Sequence, residues 1–498
     1  MALWSLGMRL TYVPSTIRFV TACGVGAVFA VALVIGLEIH PILGLAVAGA
    51  PLLSFFVLNP KWLTLVTVFL LIVLEEFPWG LGETAERSSR TPFYATSLGV
   101  PGVYPPDILI FGSMFLLICR TVVTKRSFNL PNDRIQWAMI GLGVLLSISA
   151  LTSLVFGNPF QFMTAVETGT VYKVNEQGAA LIALFQFKNF SFLIFAYLLG
   201  LLYFESSRDV DQLLKVLFIA LVCIVLIGFL RLVIRPSVIT ELKPLFYHSP
   251  SSWIFALAIF YWLIQALLQK INNNQLLIRL ALSAVLIVFI LLSYRRTMWG
   301  AMVVAALALL PMLPGTVRGK YARLLAAGVC GLLALVVIAP PLLNAIVARL
   351  SETSGQDVST IYRLSLFVWF RHNLSEIPLM GYGLRALWDI AASLGYFRTN
   401  LENIHSLYFW IILRLGIVGF IGCILALMTI SSQIRDAIRQ QQDRPYFALC
   451  VVVALALVML LFSGLFNPVY AEIRYIVLFG FALSFISRIP MIERNTHA

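Results

Sequence analysis

The sequence predicts an all-α, polytopic integral membrane protein with about 12–14 transmembrane helices and one large outer loop that carries interfacial helices. Sixty per cent of its 498 residues are hydrophobic, 11% are charged, and the mean hydropathy is +0.93. A soluble chain has about 25% charged residues, so this one has too little polar surface for a water-soluble body. Many apolar runs also approach the ~20 residues that a spanning helix needs.

Hydropathy gives about fourteen candidate spans, and no polar linker separates them. They lie near residues 18–37, 42–58, 62–75, 105–120, 135–156, 187–204, 211–234, 251–269, 276–294, 297–313, 322–341, 405–430, 445–463 and 473–488. The first run is too long for the core of a cleaved signal peptide and is predicted to be a retained span. We expect one integrated membrane domain in three parts: a bundle of about eleven spans (1–341), a large loop (342–404) and C-terminal transmembrane helices (405–498).

The distribution of charge predicts the orientation of these spans. The chain has a net charge of +13, but its charges stand in short gaps between apolar runs, which favours membrane topology over nucleic-acid binding. With a cytoplasmic N-terminus, the inner segments carry more than half of the 35 lysines and arginines but only about a third of the 22 acidic residues. This excess satisfies the positive-inside rule and places both termini in the cytoplasm.

Few residues match a cofactor or metal site. The six cysteines lie inside apolar runs without a C-x-x-C pair, which argues against a disulfide framework and a zinc site. There is no Walker-type loop, dinucleotide fingerprint or H-E-x-x-H motif. We therefore expect no cofactor and no metal. Glu75 and Glu76, with Asp107 across a loop, leave a divalent-metal site as the weaker alternative.

The loop at 342–404 is long enough to hold its own helices. Its apolar residues recur at helical spacing, and Arg363 and Arg371 stand eight positions apart, on one side of a helix. An amphipathic helix in the outer interface is predicted, ending at the glycine-rich segment 380–383. The apolar positions of this helix are Ile361, Leu364, Phe367 and Val368.

Several cationic side chains on the outer side are candidates for binding anions. Arg295 and Arg296 stand at a tight turn between two apolar runs, and Arg414 lies about 13 Å of helix rise inside a span. Cations in such places are costly unless they face a cavity, a partner or phosphates. Structural ion pairs, such as one between Arg414 and Glu472, remain the alternative.

Histidine is the candidate general base, because neutral imidazole accepts a proton near pH 7. His405 stands where the large loop enters the next span, and His372 follows Arg371 on the interfacial helix. A histidine in this position, taken alone, is more often a hydrogen-bonding residue at a helix start than a catalyst.

The motifs from 291 to 420 resemble the signature of the O-antigen ligase and O-antigen polymerase family. The resemblance rests on Arg363, Trp369 and four segments, which are Leu292-Ser293-Tyr294-Arg295-Arg296-Thr297-Met298-Trp299-Gly300, Pro378-Leu379-Met380-Gly381-Tyr382-Gly383, Asn403-Ile404-His405-Ser406-Leu407-Tyr408 and Arg414-Leu415-Gly416-Ile417-Val418-Gly419-Phe420. Many members have asparagine where this chain has Ser406.

The resemblance implies a glycan transferase at the periplasmic face of a bacterial inner membrane. Its donor would be a glycan on undecaprenyl pyrophosphate, and its acceptor another glycan or lipid A-core, with membrane lipids around it and without nucleotide, metal or nucleic acid. His405 would be the catalytic base, and Arg295, Arg296 and Arg363 would bind the pyrophosphate. Further candidates for the site are Arg371, His372, Tyr408 and Arg414. Direct displacement would invert the anomeric centre.

Three alternatives stay open at this point. The sequence does not separate ligase from polymerase, because acceptor binding would use the loops. A transporter or flippase of lipid-linked glycans would predict internal repeats, broken midplane helices and a charged central path. A metal-dependent glycosyltransferase would use Glu75, Glu76 or Asp107.

Overall fold

The structure is a computed structural model, and it describes about three-fifths of the chain. The described residues are 55–74, 104–124, 130–155, 166–167, 170–171, 178–234, 245, 249–268, 273–293, 295–338, 367–368, 370–384, 406–467 and 473–497. The predicted span 18–37 and nearly all of 42–58 lie outside them.

The described chain is almost entirely helical. Its helices are α1 (Pro60–Val73), α2 (Pro105–Val123), α3 (Arg134–Val155), α4 (Gly178–Tyr203), α5 (Ser207–Ile234), α6 (Ser249–Leu268), α7 (Asn273–Leu292), α8 (Arg296–Met312), α9 (Gly315–Ile338), α10 (Leu407–Gln440), α11 (Phe447–Gly464) and α12 (Ile473–His497). A two-residue hairpin, β1 (Val166–Glu167) with β2 (Thr170–Val171), lies in the predicted outer segment before α4.

Nine of the helices in the described residues are long and apolar enough to cross a membrane. Two shorter apolar helices, α1 and α8, accompany them. On α10, Ile421, Leu425 and Met428 form an exposed apolar stripe at helical spacing, as expected of a surface that faces lipid. The predicted all-α, multi-pass membrane fold is confirmed.

The chain divides into two compact units. The first comprises residues 1–68 and 107–128, and within it the Thr67 hydroxyl lies 3.1 Å from that of Ser113. The second comprises 69–106 and 129–498 and contains the residues matching the family motifs. The three-part division predicted at residues 341 and 404 stays a prediction.

Within the second unit, α12 packs most extensively on α4. A side chain at Gly200 of α4 would overlap Ser484 of α12, so the glycine allows close approach of the two helices. The Arg488 guanidinium donates twice to the carbonyl of Leu201, at 3.0 and 2.7 Å. The helix α12 continues through Pro490 to His497 and is therefore longer than the predicted span, which ended at residue 488.

Small residues also allow α8 to approach α11. Ala301 and Ala305 are fully buried, and a side chain at Gly300 would lie 2.7 Å from the ring of Phe462. This packing fixes the first turn of α8, which carries the arginine pair, against the end of α11.

The predicted span 405–430 corresponds to α10, which continues to Gln440 and is broken at Gly416. Gly416 has φ 68° and ψ −173°, so α10 consists of a first half (407–415) and a second half (417–440). The first half packs into a buried cluster with Leu146 of α3 and with Phe370 and Leu384 of the loop before α10.

Candidate functional site

The turn between α7 and α8 presents Arg295 and Arg296. The Ser293 hydroxyl and the Trp299 indole N–H both donate to the carbonyl of Ile290, at 2.6 and 3.0 Å. The Arg295 carbonyl accepts from the backbone N–H of Met298 at 2.8 Å, which starts α8. The motif residues Ser293 and Trp299 therefore close the turn, while both arginine side chains are half-buried.

A third arginine is tied to the same turn. The backbone N–H of Leu245 donates to the carbonyl of Leu292 at 3.0 Å, and the Leu245 carbonyl accepts from Arg231 at 3.0 Å. Arg231 belongs to the last turn of α5. The arginines at the end of α5 and at the start of α8 therefore lie at the same end of the unit.

The first turns of α8 and α12 meet at Met298. Its sulfur accepts from the Tyr475 hydroxyl at 3.6 Å and lies 3.9 Å from the Ser463 hydroxyl. Arg474, next to Tyr475, is almost fully buried, and its guanidinium lies 3.4 Å from the Ser251 hydroxyl. The positive charge of Arg474 is thus buried at the end of the bundle where α8 and α12 begin.

Ser406 caps the first half of α10. Its side chain accepts from the backbone N–H of Phe409 at 3.5 Å, and its backbone is extended. Serine is a favoured N-cap residue, so this contact is typical of a helix start. The Tyr408 hydroxyl donates to the carbonyl of Leu461 at 2.9 Å, which ties the first turn of α10 to the last turns of α11.

Arg414 lies in the buried interior of the first half of α10. It is 1% exposed, and its guanidinium carbon lies 4.9 Å from the centroid of the Trp410 ring. Phe190 of α4 packs on the same indole, with centroids 3.9 Å apart. A cation over an indole face gains more when it is shielded from water, so Trp410 stabilises this buried charge.

The break in α10 is filled by the loop segment 379–384. The backbone N–H groups of Tyr382 and Gly383 donate to the carbonyls of Leu413 and Arg414, at 2.9 and 3.1 Å. The N–H of Val418 donates to the carbonyl of Leu379 at 3.2 Å. The loop therefore satisfies backbone groups that the break removes from the helix ladder, which is required inside a membrane.

Glycine is required at this junction. Gly381, Gly383 and Gly416 all have positive φ, which other residues rarely adopt. A side chain at Gly416 would overlap the carbonyl of Leu379, and one at Gly381 would lie 2.7 Å from the carbonyl of Arg414.

An apolar cavity of about 230 Å³ opens beside this junction. It lies between α3, α4, α10, α11 and α12, and Trp410 and Leu415 form part of its wall. A dry cavity of about 150 Å³ already holds a benzene molecule, so this one can take part of an apolar chain. Its remaining lining residues are Leu142, Leu145, Leu146, Phe190, Leu193, Ile194, Leu407, Ile411, Cys423, Leu457, Leu460, Leu461, Tyr475, Ile476 and Phe479.

The structure describes part of the predicted site. Arg295, Arg296, Tyr408 and Arg414 are described, whereas His405 and Arg363 lie outside the described residues, as do Glu75 and Glu76. His405 directly precedes the Ser406 cap, so the start of α10 is the nearest described part of the chain. Among the described residues, no group of three acidic, histidine or cysteine side chains could hold a metal.

The predicted interfacial helix is seen only in its final part. Residues 367–368 and 370–373 are helical, with Arg371 and His372 exposed, and a 3₁₀ turn at Leu374–Glu376 follows. The predicted end at 380–383 is wrong, because the helix stops before Pro378 and the glycines serve the junction with α10 instead. Burial and then the nearby Glu376 raise the pKa of Tyr382, whose phenol donates to the Glu376 carbonyl at 3.1 Å.

Two residues of this region were not singled out by sequence reasoning. Ser149 of α3 donates its hydroxyl to the carbonyl of Arg414 at 2.9 Å, a contact between positions 265 residues apart. Lys188 of α4 lies over the rings of Tyr104 and Phe192, 5.2 and 5.7 Å from their centroids. Lys188 could have been found from the sequence, because it is a charged residue among apolar ones near the start of a span, and intramembrane charge marks functional positions.

Comparison with known proteins identifies the segment that holds these features. Residues 280–424 match the family model described as O-Antigen ligase, a segment that runs from within α7 to within α10. No curated protein matches the chain. The match includes Arg295, Arg296, the glycine junction and Arg414, and it contains the whole stretch on which the resemblance was recognised. Residues 280–424 are therefore similar to the O-antigen ligase family, as the motifs predict.

Proposed function

We propose that this protein transfers a glycan from undecaprenyl pyrophosphate to an acceptor at the periplasmic face of the bacterial inner membrane. The observation that carries the proposal is an apolar cavity with a buried cation next to one of its lining residues. Trp410 lines the cavity, and the Arg414 guanidinium lies over the same ring. A prenyl pyrophosphate combines the two chemistries that such a place can bind, an apolar chain and an anion.

The arginines would bind the diphosphate of the donor. Guanidinium groups match phosphate oxygens with paired donors, and Arg295 and Arg296 stand together on a braced turn. Arg363, on the part of the interfacial helix that only the sequence predicts, is proposed as their partner. Negative charge on the diphosphate grows as its bond to the sugar breaks, so these cations favour the transition state.

His405 is proposed as the general base, helped by the rigid start of α10. The imidazole takes the proton from an acceptor hydroxyl, and the acceptor oxygen attacks the anomeric carbon. The bond from that carbon to the pyrophosphate breaks, and undecaprenyl pyrophosphate leaves with the bonding electrons. A single displacement inverts the anomeric centre, and neither a metal nor a nucleotide takes part.

Orientation supports a periplasmic reaction. The positive-inside rule places both termini in the cytoplasm and the starts of α8, α10 and α12 on the outer side. Arg371, His372 and Tyr408 would lie at that side, with Tyr408 as a bracing residue because its hydroxyl already donates to Leu461.

One observation favours a second function, the movement of lipid-linked glycans across the membrane. Broken helices near the bilayer midplane are typical of transporters, and α10 is broken nine residues from its start. We favour the transferase because the break is closed by backbone hydrogen bonds from the loop, which makes this part of α10 rigid rather than mobile.

The decisive experiment is a transfer assay with purified protein in detergent. Undecaprenyl-pyrophosphate glycan is supplied in EDTA, without nucleotide, together with lipid A-core or with no added acceptor. Wild type is compared with His405→Ala, and with His497→Ala as a histidine control at the end of α12, away from the proposed site. Removal of a general base is expected to lower the rate by about 10²–10⁴-fold.

Each outcome points to one function. Product that forms in EDTA and is lost in His405→Ala supports the transferase, and dependence on lipid A-core separates ligase from polymerase. Full activity of His405→Ala contradicts the assigned base. Failure of wild type with every acceptor, combined with movement of the donor between leaflets of proteoliposomes, supports the transporter.

A further inference from the structure

Among the four hydroxyl side chains of α3, that of Ser149 differs from the others in its hydrogen-bond partner. Ser147, Thr152 and Ser153 donate to carbonyls of their own helix four residues earlier, at 2.8, 2.8 and 2.9 Å. Ser149 instead donates across to the carbonyl of Arg414 at 2.9 Å. Back-bonding within the helix is the ordinary state of such a hydroxyl, so the contact of Ser149 reflects the approach of α10.

The Arg414 carbonyl is the point where the broken helix is attached. In a regular helix this carbonyl would accept from the N–H of Val418, but that N–H donates to Leu379. The carbonyl accepts instead from the Gly383 N–H and from the Ser149 hydroxyl. Two neighbouring elements thus replace the lost helical hydrogen bond.

Ser149 also holds the loop that fills the break. Its own carbonyl accepts from the N–H of Leu384 at 3.3 Å and from the Ser153 hydroxyl. A side chain at Gly383 would overlap that of Ser153, so the loop lies directly on this turn of α3. A single buried residue therefore contacts both partners of the junction, the loop and the first half of α10.

We propose that Ser149 is a positioning residue for glycan transfer. It fixes the carbonyl of Arg414 and, through it, the rigid first half of α10, which begins at Ser406 directly after His405. A small displacement of a catalytic group lowers the rate strongly, so loosening this attachment slows catalysis without removing any group that contacts the substrate. The proposal rests on the proposed transferase function.

Ser149→Ala tests this role, and Ser147→Ala is the matched control on the same helix. Ser147 is exposed, and its hydroxyl donates to the Gly143 carbonyl of the same helix. We expect kcat of Ser149→Ala to fall about tenfold, with KM and melting temperature close to those of the control. Ser149→Cys keeps a weak donor of similar size and is expected to recover part of the loss.

Hydrogen exchange supplies a second readout that needs no activity. In Ser149→Ala, amides of residues 379–384 and 413–418 are expected to exchange about tenfold faster than in Ser147→Ala, because the junction opens more often. Equal exchange and equal kcat in the two variants would overturn the proposal. A loss of kcat that follows a loss of several degrees in melting temperature would also overturn it, since the role is then structural.

The two readouts separate this proposal from the proposed function. If wild type transfers no glycan, the transferase assignment fails, while the exchange measurement still decides whether Ser149 holds α10. If wild type is active and Ser149→Ala behaves as Ser147→Ala in both measurements, only the positioning role fails.

Discussion

The two halves of α10 are held in place by different kinds of contact. The first half is buried and is attached through its backbone carbonyls to the loop at 379–384 and to Ser149. In the first turn of the second half, the Val418 N–H also donates to the Leu379 carbonyl. Beyond that turn the second half is a regular helix, attached near its end by side chains: Arg134 pairs with Asp436 at 2.8 Å, and Gln433 donates to Asp133 at 2.7 Å. Hydrogen bonds made by backbone groups fix the position of a main chain more tightly than contacts made through long, flexible side chains.

The difference indicates where precision is needed. A helix break inside a membrane is costly unless the freed N–H and C=O groups find partners. Here they do so within residues 280–424, the segment that matches O-Antigen ligase. The first half carries Arg414 and starts beside His405, so the helix break and its backbone hydrogen bonds lie at the proposed site. The second half needs only to span the membrane.

The largest effect is expected from Gly416→Ala. The new methyl group would overlap the Leu379 carbonyl, and the backbone of Gly416, with φ 68° and ψ −173°, lies in an essentially glycine-only region that costs another residue about 1–3 kcal/mol more. We expect a fall of several degrees in melting temperature and loss of transfer activity. Differential scanning fluorimetry and size-exclusion chromatography would measure it.

The control for Gly416→Ala is Gly141→Ala on α3, where an added methyl group meets nothing within 4 Å. Alanine is favoured over glycine in a helix by about 1 kcal/mol, so this variant should be at least as stable as wild type. Equal stability of the two variants would show that the junction does not hold α10.

A smaller effect on stability, but a large one on activity, is expected from Arg414→Gln. The substitution removes a buried charge next to the cavity-lining Trp410 while keeping a polar, though shorter, side chain. If the guanidinium assists donor binding, kcat/KM should fall about 10–100-fold, the range expected for a hydrogen bond to a charged group. Steady-state kinetics with lipid-linked donor would show it.

Arg439→Gln is the matched control for that change, because Arg439 is exposed in the last turn of the second half. Its kinetics should equal those of wild type. Similar losses in both variants would mean that Arg414 acts only through the net charge of the helix.

The smallest effect is expected from Arg134→Gln, which breaks the ion pair with Asp436. The two side chains are 58% and 36% exposed, and such pairs contribute less than about 1 kcal/mol. We expect a melting temperature within about 2 °C of wild type and an unchanged rate of glycan transfer. The difference in melting temperature should be smaller at high salt, which screens the ion pair. A loss comparable to that of Gly416→Ala would show that side-chain attachment of the second half matters equally.

Local patterns in the sequence predicted the spans but not the junction. Hydropathy located the helices, and Arg414 was recognised because a cation inside an apolar run is unusual. The break at Gly416 was missed, since its partners are the loop around Leu379 and Gly383, more than thirty positions away, and Ser149. Glycine in an apolar run is also compatible with simple close packing. The last span was predicted to end at residue 488, where the apolar run ends, whereas α12 continues through Pro490 to His497.

The most direct test of the account is photo-crosslinking of the donor lipid to the purified protein. An undecaprenyl pyrophosphate with a diazirine in its chain is irradiated with wild type and with Cys423→Phe, which narrows the cavity, and Cys330→Phe, at an exposed position on α9, is the control. We predict crosslinks in residues 142–146, 407–415 and 457–461 that unlabelled lipid displaces and that only Cys423→Phe weakens. Crosslinks confined to other helices, or unaffected by competitor, would contradict the assignment of this cavity and its arginine to the donor.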